Sequence, residues 1–441
     1  MVTVTPRLDS VSERNAVHHE RWLVIVEEAL LPTDSGARTE TLGLLQACES
    51  QNITCRIWVL GPCDRPRHQQ AFPDYPIEFL PRRTTWMAAL SPRPYVIASR
   101  PFSRAIAARV LPSLQAWGAT AVVSSTFRVS HIGLAVARQL GIPLLVRPHN
   151  LESDYFEKLA RSSRGLRRLA YKMEAVKLRR FEQSMHRSPE VAAFADLSDE
   201  EAGRRQLLST QPVFHLSPFL PAVRVLPDTG RTSSADVMFL GSLDNPNNVD
   251  GLRWLVGQVW PRVRAVHPEQ RLRVVGRNPP SSIVRLLNET PNAITMWDQP
   301  EIDEAFAETA VFVNPVRRGA GVNIKVVEAA ARGVAITSTS VGLRGLNFVA
   351  DTDALVADHP AGFADAIIRL LRNSELRTRL GAAARARVTS AMDHALLIDR
   401  MNEMLAPARP RGSAEIPARV GVSQAVGPTP SIGCGPRVEE M

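Results

Sequence analysis

A glutamate on the helix after a glycine loop is the side chain in this sequence best placed to do chemistry. Glu328 lies within residues 319–333, GAGVNIKVVEAAARG, which follow one short apolar run and precede another. A glycine loop between a strand and a helix leaves backbone N–H groups and a helix N-terminus available to an anion. At helical spacing Glu328 shares a face with Ile324 and Ala331, so a carboxylate points where an apolar side chain would normally pack. Because a buried charge is costly without hydrogen-bond partners, we interpret Glu328 as a ligand contact.

The residues around this glutamate complete a unit that could bind an anion. Asn323 is expected to cap the helix, and Gly333 to end it in the left-handed conformation. Lys325 in the first helical turn can add a positive charge, as can Arg317 and Arg318 before the loop. Two structural alternatives stay open: an i,i+3 ion pair between the lysine and the glutamate, and a surface lysine without a function.

Composition places the chain among globular proteins of more than one domain. Its 441 residues are 44% hydrophobic and 22% charged, which suits two domains with a core each. Four cysteines are too few for a disulfide or metal framework and favour a reducing compartment. Apolar runs fall short of the roughly 18–20 residues of a transmembrane helix, and the first 20 residues lack the apolar segment of a secretory signal. We therefore expect a cytoplasmic protein.

The net charge of +9 is concentrated in one window, residues 158–187. This window holds ten Lys or Arg residues against two Glu residues, and its apolar positions fit helices better than strands. A basic helical surface attracts anionic lipid headgroups, so peripheral contact with the inner face of a membrane is one interpretation. A solvated face beside a binding cleft is the other. A nucleic-acid partner is not expected, because no nucleic-acid-binding motif accompanies the charge.

Short apolar runs alternate with helical patterns in both halves of the chain, which predicts βαβ units and parallel sheets. The predicted strands of the first half are 22–26, 53–60, 121–124, 143–146 and 191–195. Those of the second half are 236–240, 272–275, 294–296, 311–314 and 335–338. Predicted helices include 41–48, 249–266, 302–308 and 363–371, with Trp254 and Trp260 as packing residues. Prolines and aromatic residues in 72–112 suggest an insertion that carries a binding surface.

Several stretches, taken in order, resemble family 4 glycosyltransferases, which are retaining enzymes of the GT-B fold. In the second half the similar stretches are 239–254 (FLGSLDNPNNVDGLRW), 272–280 (LRVVGRNPP) and 319–333. In the first half, 32–38 (PTDSGAR) looks like the glycine loop of that family and 147–153 (RPHNLES) like its histidine loop. Together they cover roughly residues 20–390 in the expected order.

The resemblance implies an α/β protein of GT-B architecture, with two doubly wound Rossmann-like domains facing a central cleft. We predict an acceptor-side N-terminal domain at 20–208, a linker at 209–234 and a nucleotide-sugar donor domain at 235–385. A C-terminal helix at 386–405 and a disordered tail at 406–441 complete the predicted organisation.

The same resemblance implies transfer of a sugar from a nucleotide-sugar donor, with retention at the anomeric carbon, to an acceptor that the sequence does not identify. It implies no protein-bound metal and no cofactor, since the nucleotide-sugar is a substrate. His149 matches the histidine placed near the donor sugar, and Glu328 matches the second glutamate of an E-x7-E motif, which holds the nucleotide ribose; both are predicted as catalytic residues. The expected donor-binding residues are Gly36, Gly241, Ser242, Arg277, Gly319, Ala320, Gly321, Val322, Asn323, Lys325 and Glu328.

The sequence also departs from the family pattern. Ala320 stands where the first glutamate of an E-x7-E motif is usual, Ser242 replaces an arginine, and a lysine is replaced around Asn247–Asn248. Position 37 is alanine instead of a second loop glycine. Lys325, Arg317 and Arg318 are candidates to supply the missing phosphate cations, Lys325 foremost.

These departures keep other interpretations open. A non-catalytic protein that binds a nucleotide-sugar, or acts as a scaffold on a GT-B fold, is the principal alternative. An epimerase fits the 319–333 pattern poorly, and a dehydrogenase lacks G-x-G-x-x-G after the first strand. His149 could be a plain loop histidine, Arg277 could face a base or solvent, and Asn247 and Asn248 could be turn residues.

Overall fold

The computed structural model describes residues 20–31, 36–61, 65–83, 88, 90–221, 236–299, 302–319 and 321–408. Several predictions lie outside these residues: loop residues 32–35, Ala320, part of the linker (222–235) and the tail from 409. The described residues contain two parallel β-sheets, with helices on both faces.

The first sheet has seven strands, all parallel, in the order β3-β2-β1-β4-β5-β6-β7. They are β1 (Arg21–Val26), β2 (Thr54–Leu60), β3 (Ile77–Leu80), β4 (Ala121–Ser124), β5 (Leu144–Val146), β6 (Val191–Asp196) and β7 (Val213–His215). The central strands β4, β5 and β6 are buried along their whole length, which explains why they read as continuous apolar runs.

The second sheet has six parallel strands in the order β10-β9-β8-β11-β12-β13. They are β8 (Asp236–Ser242), β9 (Leu272–Arg277), β10 (Ala293–Trp297), β11 (Thr309–Asn314), β12 (Ala335–Ser338) and β13 (Leu355–Val356). In both sheets the first strand of the half pairs with the second and the fourth. Each sheet therefore has a topological switch point beside its first strand, where doubly wound folds form a crevice at the carboxyl ends of the strands.

The helices of the first half mostly connect consecutive parallel strands. They are α1 (Gly36–Ser50), α2 (Arg65–Ala71), α3 (Tyr95–Ala98), α4 (Arg104–Trp117), α5 (Ser130–Leu140), α6 (Glu152–Ser162), α7 (Gly165–His186) and α8 (Asp199–Gln206). Helices α6 and α7 form an antiparallel hairpin.

The helices of the second half surround the other sheet and continue to the end of the described chain. They are α9 (Pro246–Trp254), α10 (Trp260–Val266), α11 (Ser281–Asn288), α12 (Asp303–Ala307), α13 (Ile324–Ala331), α14 (Pro360–Arg372), α15 (Ser374–Ala391) and α16 (His394–Leu405). Trp254 and Trp260 flank a π-helical turn and are buried, as the packing interpretation predicts.

Ten strands were predicted near their observed positions, and three short strands were not. β3 lies within residues 72–112, so this stretch supplies a sheet strand and most of α4 as well as loops. β7 lies within the predicted linker yet pairs with β6. β13 has only two residues. All three are at or near a sheet edge, where burial is incomplete and a short apolar run carries little pattern.

The C-terminal helix returns to the first half. α16 packs against α1 and against strands β5 and β6, and Nε2 of its first residue, His394, lies 2.7 Å from the carbonyl oxygen of Leu220. Both sheets belong to one compact unit. In the described parts of the chain, no helix is both long and apolar enough to cross a membrane.

Candidate functional site

A cleft of about 580 Å³ lies at the carboxyl edges of both sheets. Helix α1 contributes Gly36 and Thr39 from the first half, and the loops after β8 and β9 contribute residues of the second half. The predicted donor-binding residues that line this cleft are Gly36, Gly241, Ser242, Arg277, Val322, Asn323, Lys325 and Glu328. Residues assigned to separate motifs in the sequence thus meet in one place.

The glycine loop after β11 borders a smaller cavity of about 140 Å³, lined by Arg318, Gly319 and Gly321 among others. Gly319 has φ +143° and Gly321 φ +79°, a backbone region that other residues seldom occupy. Arg317 is turned away, with its guanidinium 2.9 Å from the carboxylate of Asp250. Of these two arginines, only Arg318 therefore stays beside the loop.

The ends of α13 differ in how well they match the prediction. Gly333 follows the helix with φ +71°, as a left-handed terminating residue should. Asn323 occupies the N-cap position, but its side chain makes no capping bond, so the predicted side-chain cap is wrong. Its amide instead donates to the carbonyl oxygen of Gly342 at 3.1 Å, because that loop packs beside it. The N–H groups of the first turn are thus left without a side-chain cap at the cleft.

Glu328 is buried, with 9% of its surface exposed, and faces the cleft. Its Oε1 accepts a hydrogen bond from Thr39 Oγ1 across the two halves of the molecule at 3.3 Å. Burial raises the pKa of this carboxyl, opposed by the nearby Arg332 and the Thr39 bond. A carboxylate with one weak partner and a desolvation cost is suited to accept hydrogen bonds from ligand hydroxyls.

Lys325 does not form the alternative ion pair with Glu328. Its ammonium donates to Asn248 Oδ1 at 2.8 Å and lies 5.1 Å from the centre of the Phe239 ring. Burial lowers the pKa of Lys325 to about 7. Asn248 is more than a turn residue, since its Nδ2 also donates to the carbonyl oxygen of Ser242 at 2.8 Å. The lysine is therefore held over the loop that follows β8.

Arg277 lies in the cleft and not in bulk solvent. Its Nε donates to Ser242 Oγ at 2.9 Å, and Ser242 in turn donates to Asp244. This chain of bonds ties the ends of β8 and β9 together, so Ser242 acts as a connector where the family pattern has a cation.

His149 is not among the described residues that line the main cleft, but its carbonyl oxygen lies beside Gly321 of the glycine loop. Its Nε2 is 3.8 Å from Glu40 Oε2 and has no hydrogen-bond partner among the described residues. Glu40 pairs with Arg147 at 2.7 Å, and both side chains are fully buried. Burial opposes ionisation of Glu40, but Arg147 and His149 together hold its pKa below the ordinary value. The pair fixes the histidine loop against α1.

The loops of the two halves touch where their glycines are. A Cβ on Gly321 would lie 2.9 Å from Asn150 Oδ1 and 3.1 Å from the carbonyl oxygen of His149. A Cβ on Gly36 would lie 2.9 Å from Ile324 Cγ1. A side chain at either position would force these neighbours to shift, so the two glycines allow the close approach of the two halves.

Sequence reasoning missed Thr39 and Glu40, both on the first turns of α1. The only signal was a carboxylate on the same helix face as Leu44, the pattern that singled out Glu328. Thr39 carried no signal, because its partner is 289 positions away. Among the described residues, no group of three or more His, Cys, Asp or Glu side chains is placed to hold a metal ion.

Comparison with known proteins adds to this geometry. Residues 234–373 match the family described as "Glycosyl transferases group 1". An uncharacterized 44.6 kDa protein in the cps region of Klebsiella pneumoniae is 28% identical over 240 residues, which are 52% of this chain. The chain spans 60% of the length of that relative.

Solved structures establish the architecture. Sucrose-phosphate synthase of Thermosynechococcus elongatus superposes with a TM-score of 0.59 at 15% identity, over 88% of this chain and all of that one. HepE of Anabaena, solved with UDP-glucose, gives a TM-score of 0.57 at 11% identity, over 88% of this chain and 99% of that one. The fold is GT-B. Within this fold, the second half is the part that matches a glycosyltransferase family.

Proposed function

We propose that this protein is a retaining glycosyltransferase that moves a sugar from a nucleotide-sugar donor to an acceptor held by the first half. One observation carries the proposal. A buried carboxylate, an ammonium group and an uncapped helix N-terminus face one cleft at the switch point of the second sheet. These groups match the hydroxyls and the diphosphate of a nucleotide-sugar.

Each group has a part in the proposed reaction. Glu328 accepts hydrogen bonds from the ribose hydroxyls, with Thr39 holding its other side. Lys325 and the N–H groups at the start of α13 neutralise the diphosphate as it leaves, when its charge grows. His149, on the loop that the Glu40–Arg147 pair fixes against α1, donates a hydrogen bond to the donor sugar.

The position of Lys325 accounts for the missing phosphate cations. Its ammonium touches Asn248, in the segment where the family pattern has a lysine. We propose that the positive charge is supplied to the same place from α13 instead of α9. Ser242, the replacement for the arginine, then serves to hold Arg277.

A panel of UDP-, GDP- and ADP-sugars tests the proposal, scored for binding by calorimetry and for turnover by nucleotide release. UDP-sugars come first, since HepE was solved with UDP-glucose. The proposal expects one donor to bind and turn over, and Glu328→Ala to abolish turnover with an unchanged melting temperature. Binding without turnover across all acceptors would favour the non-catalytic alternative. Binding of none would reject both.

Two further expectations belong to the same proposal. Turnover is expected to continue after treatment with a chelator, because the diphosphate charge is assigned to Lys325 and the α13 dipole. A location in the cytoplasm or at the inner face of the membrane is also expected, and fractionation of the native host tests it.

A further inference from the structure

The hairpin of α6 and α7 carries an apolar stripe that stays exposed among the residues that the structure describes. Leu166, Leu169, Met173 and Val176 are 86%, 55%, 55% and 48% exposed. Their spacing of three, four and three residues places them on one face of α7. The segment of Leu90, which is 75% exposed, is tied to α7 at the next residue, because the ammonium of Lys177 donates to the carbonyl oxygen of Ser91 at 2.7 Å.

Charge is sorted between the two sides of this hairpin. The two acidic residues of the window 158–187, Glu174 and Glu182, are buried against the protein. The basic residues instead lie on the surface: positions 158, 161, 164, 167, 168, 172, 179, 180 and 187 are exposed. Arg161 and Arg179 pair with Glu157 on α6, and the other exposed cations form an outward-facing basic surface with an apolar stripe along it.

We infer that this stripe and its basic margin, Lys158–Arg187, dock the protein on an anionic lipid bilayer. Apolar side chains on a helix lying in the interface enter the boundary between headgroups and acyl chains, while Arg and Lys bind the headgroup phosphates. A second copy of this chain is a poor occupant, since two such faces would oppose like charges. The stripe itself argues against nucleic acid. The phosphates of a nucleic acid would bind the cations but would offer the apolar side chains no partner.

The docking surface is close to the histidine loop. α6 begins at Glu152, within the last two residues of that loop (147–153), and spans 11 residues, about 16 Å of helix, to the hairpin tip. Residues 164–170 at the tip are all exposed. Docking at the tip would bring the acceptor side of the cleft toward the lipid surface.

Vesicle co-sedimentation of the full chain tests the inference without any need for enzymatic activity. We expect at least about tenfold tighter binding to vesicles of phosphatidylglycerol and phosphatidylcholine than to phosphatidylcholine alone, weakened by salt. Leu166→Ser with Leu169→Ser should lower the affinity more than about tenfold. Arg167→Gln with Arg168→Gln should lower it about 25-fold, at about fivefold for each cation.

Matched controls lie elsewhere on the surface. Leu207 and Leu208, 86% and 56% exposed, copy the exposure of the leucine pair, so Leu207→Ser with Leu208→Ser should bind as the wild type does. Arg369→Gln with Arg372→Gln removes the same number of positive charges away from the hairpin and controls for the loss of charge. Equal binding to neutral vesicles, or undiminished binding by the Leu166/Leu169 variant, would overturn the inference. Concentration-dependent dimerisation lost in that variant would also overturn it and assign the stripe to a second copy.

Discussion

Lys325 offers the most specific test of how this site binds its donor. Lys325 as a whole is half-buried, its ammonium lies against Phe239 and Asn248, and burial lowers its pKa to about 7. The diphosphate of a nucleotide-sugar should favour the protonated form and raise that pKa on binding. A hydrogen bond between an ammonium and a phosphate contributes about 1.5–3 kcal/mol, so Lys325→Met should weaken donor binding by about 10- to 150-fold at pH 7.

The pH dependence follows from the same geometry. Because its pKa is about 7, Lys325 is mostly neutral above that pH in the protein without donor. Donor binding should then be accompanied by protonation of the Lys325 amine. Linkage then predicts that affinity falls about tenfold per pH unit, until the pH reaches the raised pKa of the complex. Calorimetry in buffers of different ionisation enthalpy measures the affinity and the protons taken up. We expect uptake approaching one proton per donor near pH 8 and essentially none in Lys325→Met.

A compensating variant separates the role of the charge from the role of the residue. Asn248 lies within hydrogen-bond distance of the ammonium, so Asn248→Lys in the Lys325→Met background should restore part of the affinity. Asn248→Ala in the same background is the matched control and should restore none. A parallel pH profile in wild type and Lys325→Met, or equal affinity of the two, would refute the assignment of Lys325 to the diphosphate.

The other predictions concern the contacts that surround the donor. Glu328→Gln should reduce kcat/KM about 10- to 150-fold, because a charged acceptor is lost. Its melting temperature should not fall at neutral pH, since the raised pKa means that the ionised form costs stability above that pKa. A fall would point to a structural role. Glu40→Gln should lower stability by about 3–5 kcal/mol, as Arg147 stays buried without its partner, while Glu40→Leu with Arg147→Met should lose less. Chemical denaturation measures the free energy of unfolding of the single and the double variant, and an equal loss of stability in the two would contradict this account of the pair. Gly321→Ala should cut kcat/KM about tenfold through its positive φ and the contact with Asn150, whereas Gly203→Ala, with open space around it, should not. Unchanged kinetics in Gly321→Ala would mean that the loops need not meet.

Much of the fold was predictable from local pattern. Runs such as Val191–Asp196 are buried on both faces of a parallel sheet. Their side chains are therefore mostly apolar, and the strand can be recognised in the sequence. The short strands at Ile77–Leu80 and Val213–His215 are only partly buried and left no such signature. Periodicity indicates where a side chain points along its own element, not which distant element it meets.

The same limit applies to the site. Glu328 was detectable because a carboxylate broke an apolar helix face and a glycine loop preceded it. That Thr39 would bond to it, or that Lys325 would turn to Asn248 instead of Glu328, depends on the packing of separate elements. The prediction of an Asn323 side-chain cap failed for this reason, since a hydrogen bond from Asn323 Nδ2 to the carbonyl oxygen of Gly342 holds the amide in another orientation.

The stereochemistry of transfer is the most direct test of the central claim. The reaction uses the nucleotide-sugar that binds in the donor panel, with a membrane extract of the native host as the source of acceptor. Proton NMR follows the transfer of the sugar. The coupling constant of the anomeric proton then reports the configuration of the product. The account predicts sugar transfer with the anomeric configuration of the donor retained, and no transfer by Glu328→Ala. An inverted product would contradict the retaining mechanism, and donor binding without any transfer would contradict the assignment as a glycosyltransferase.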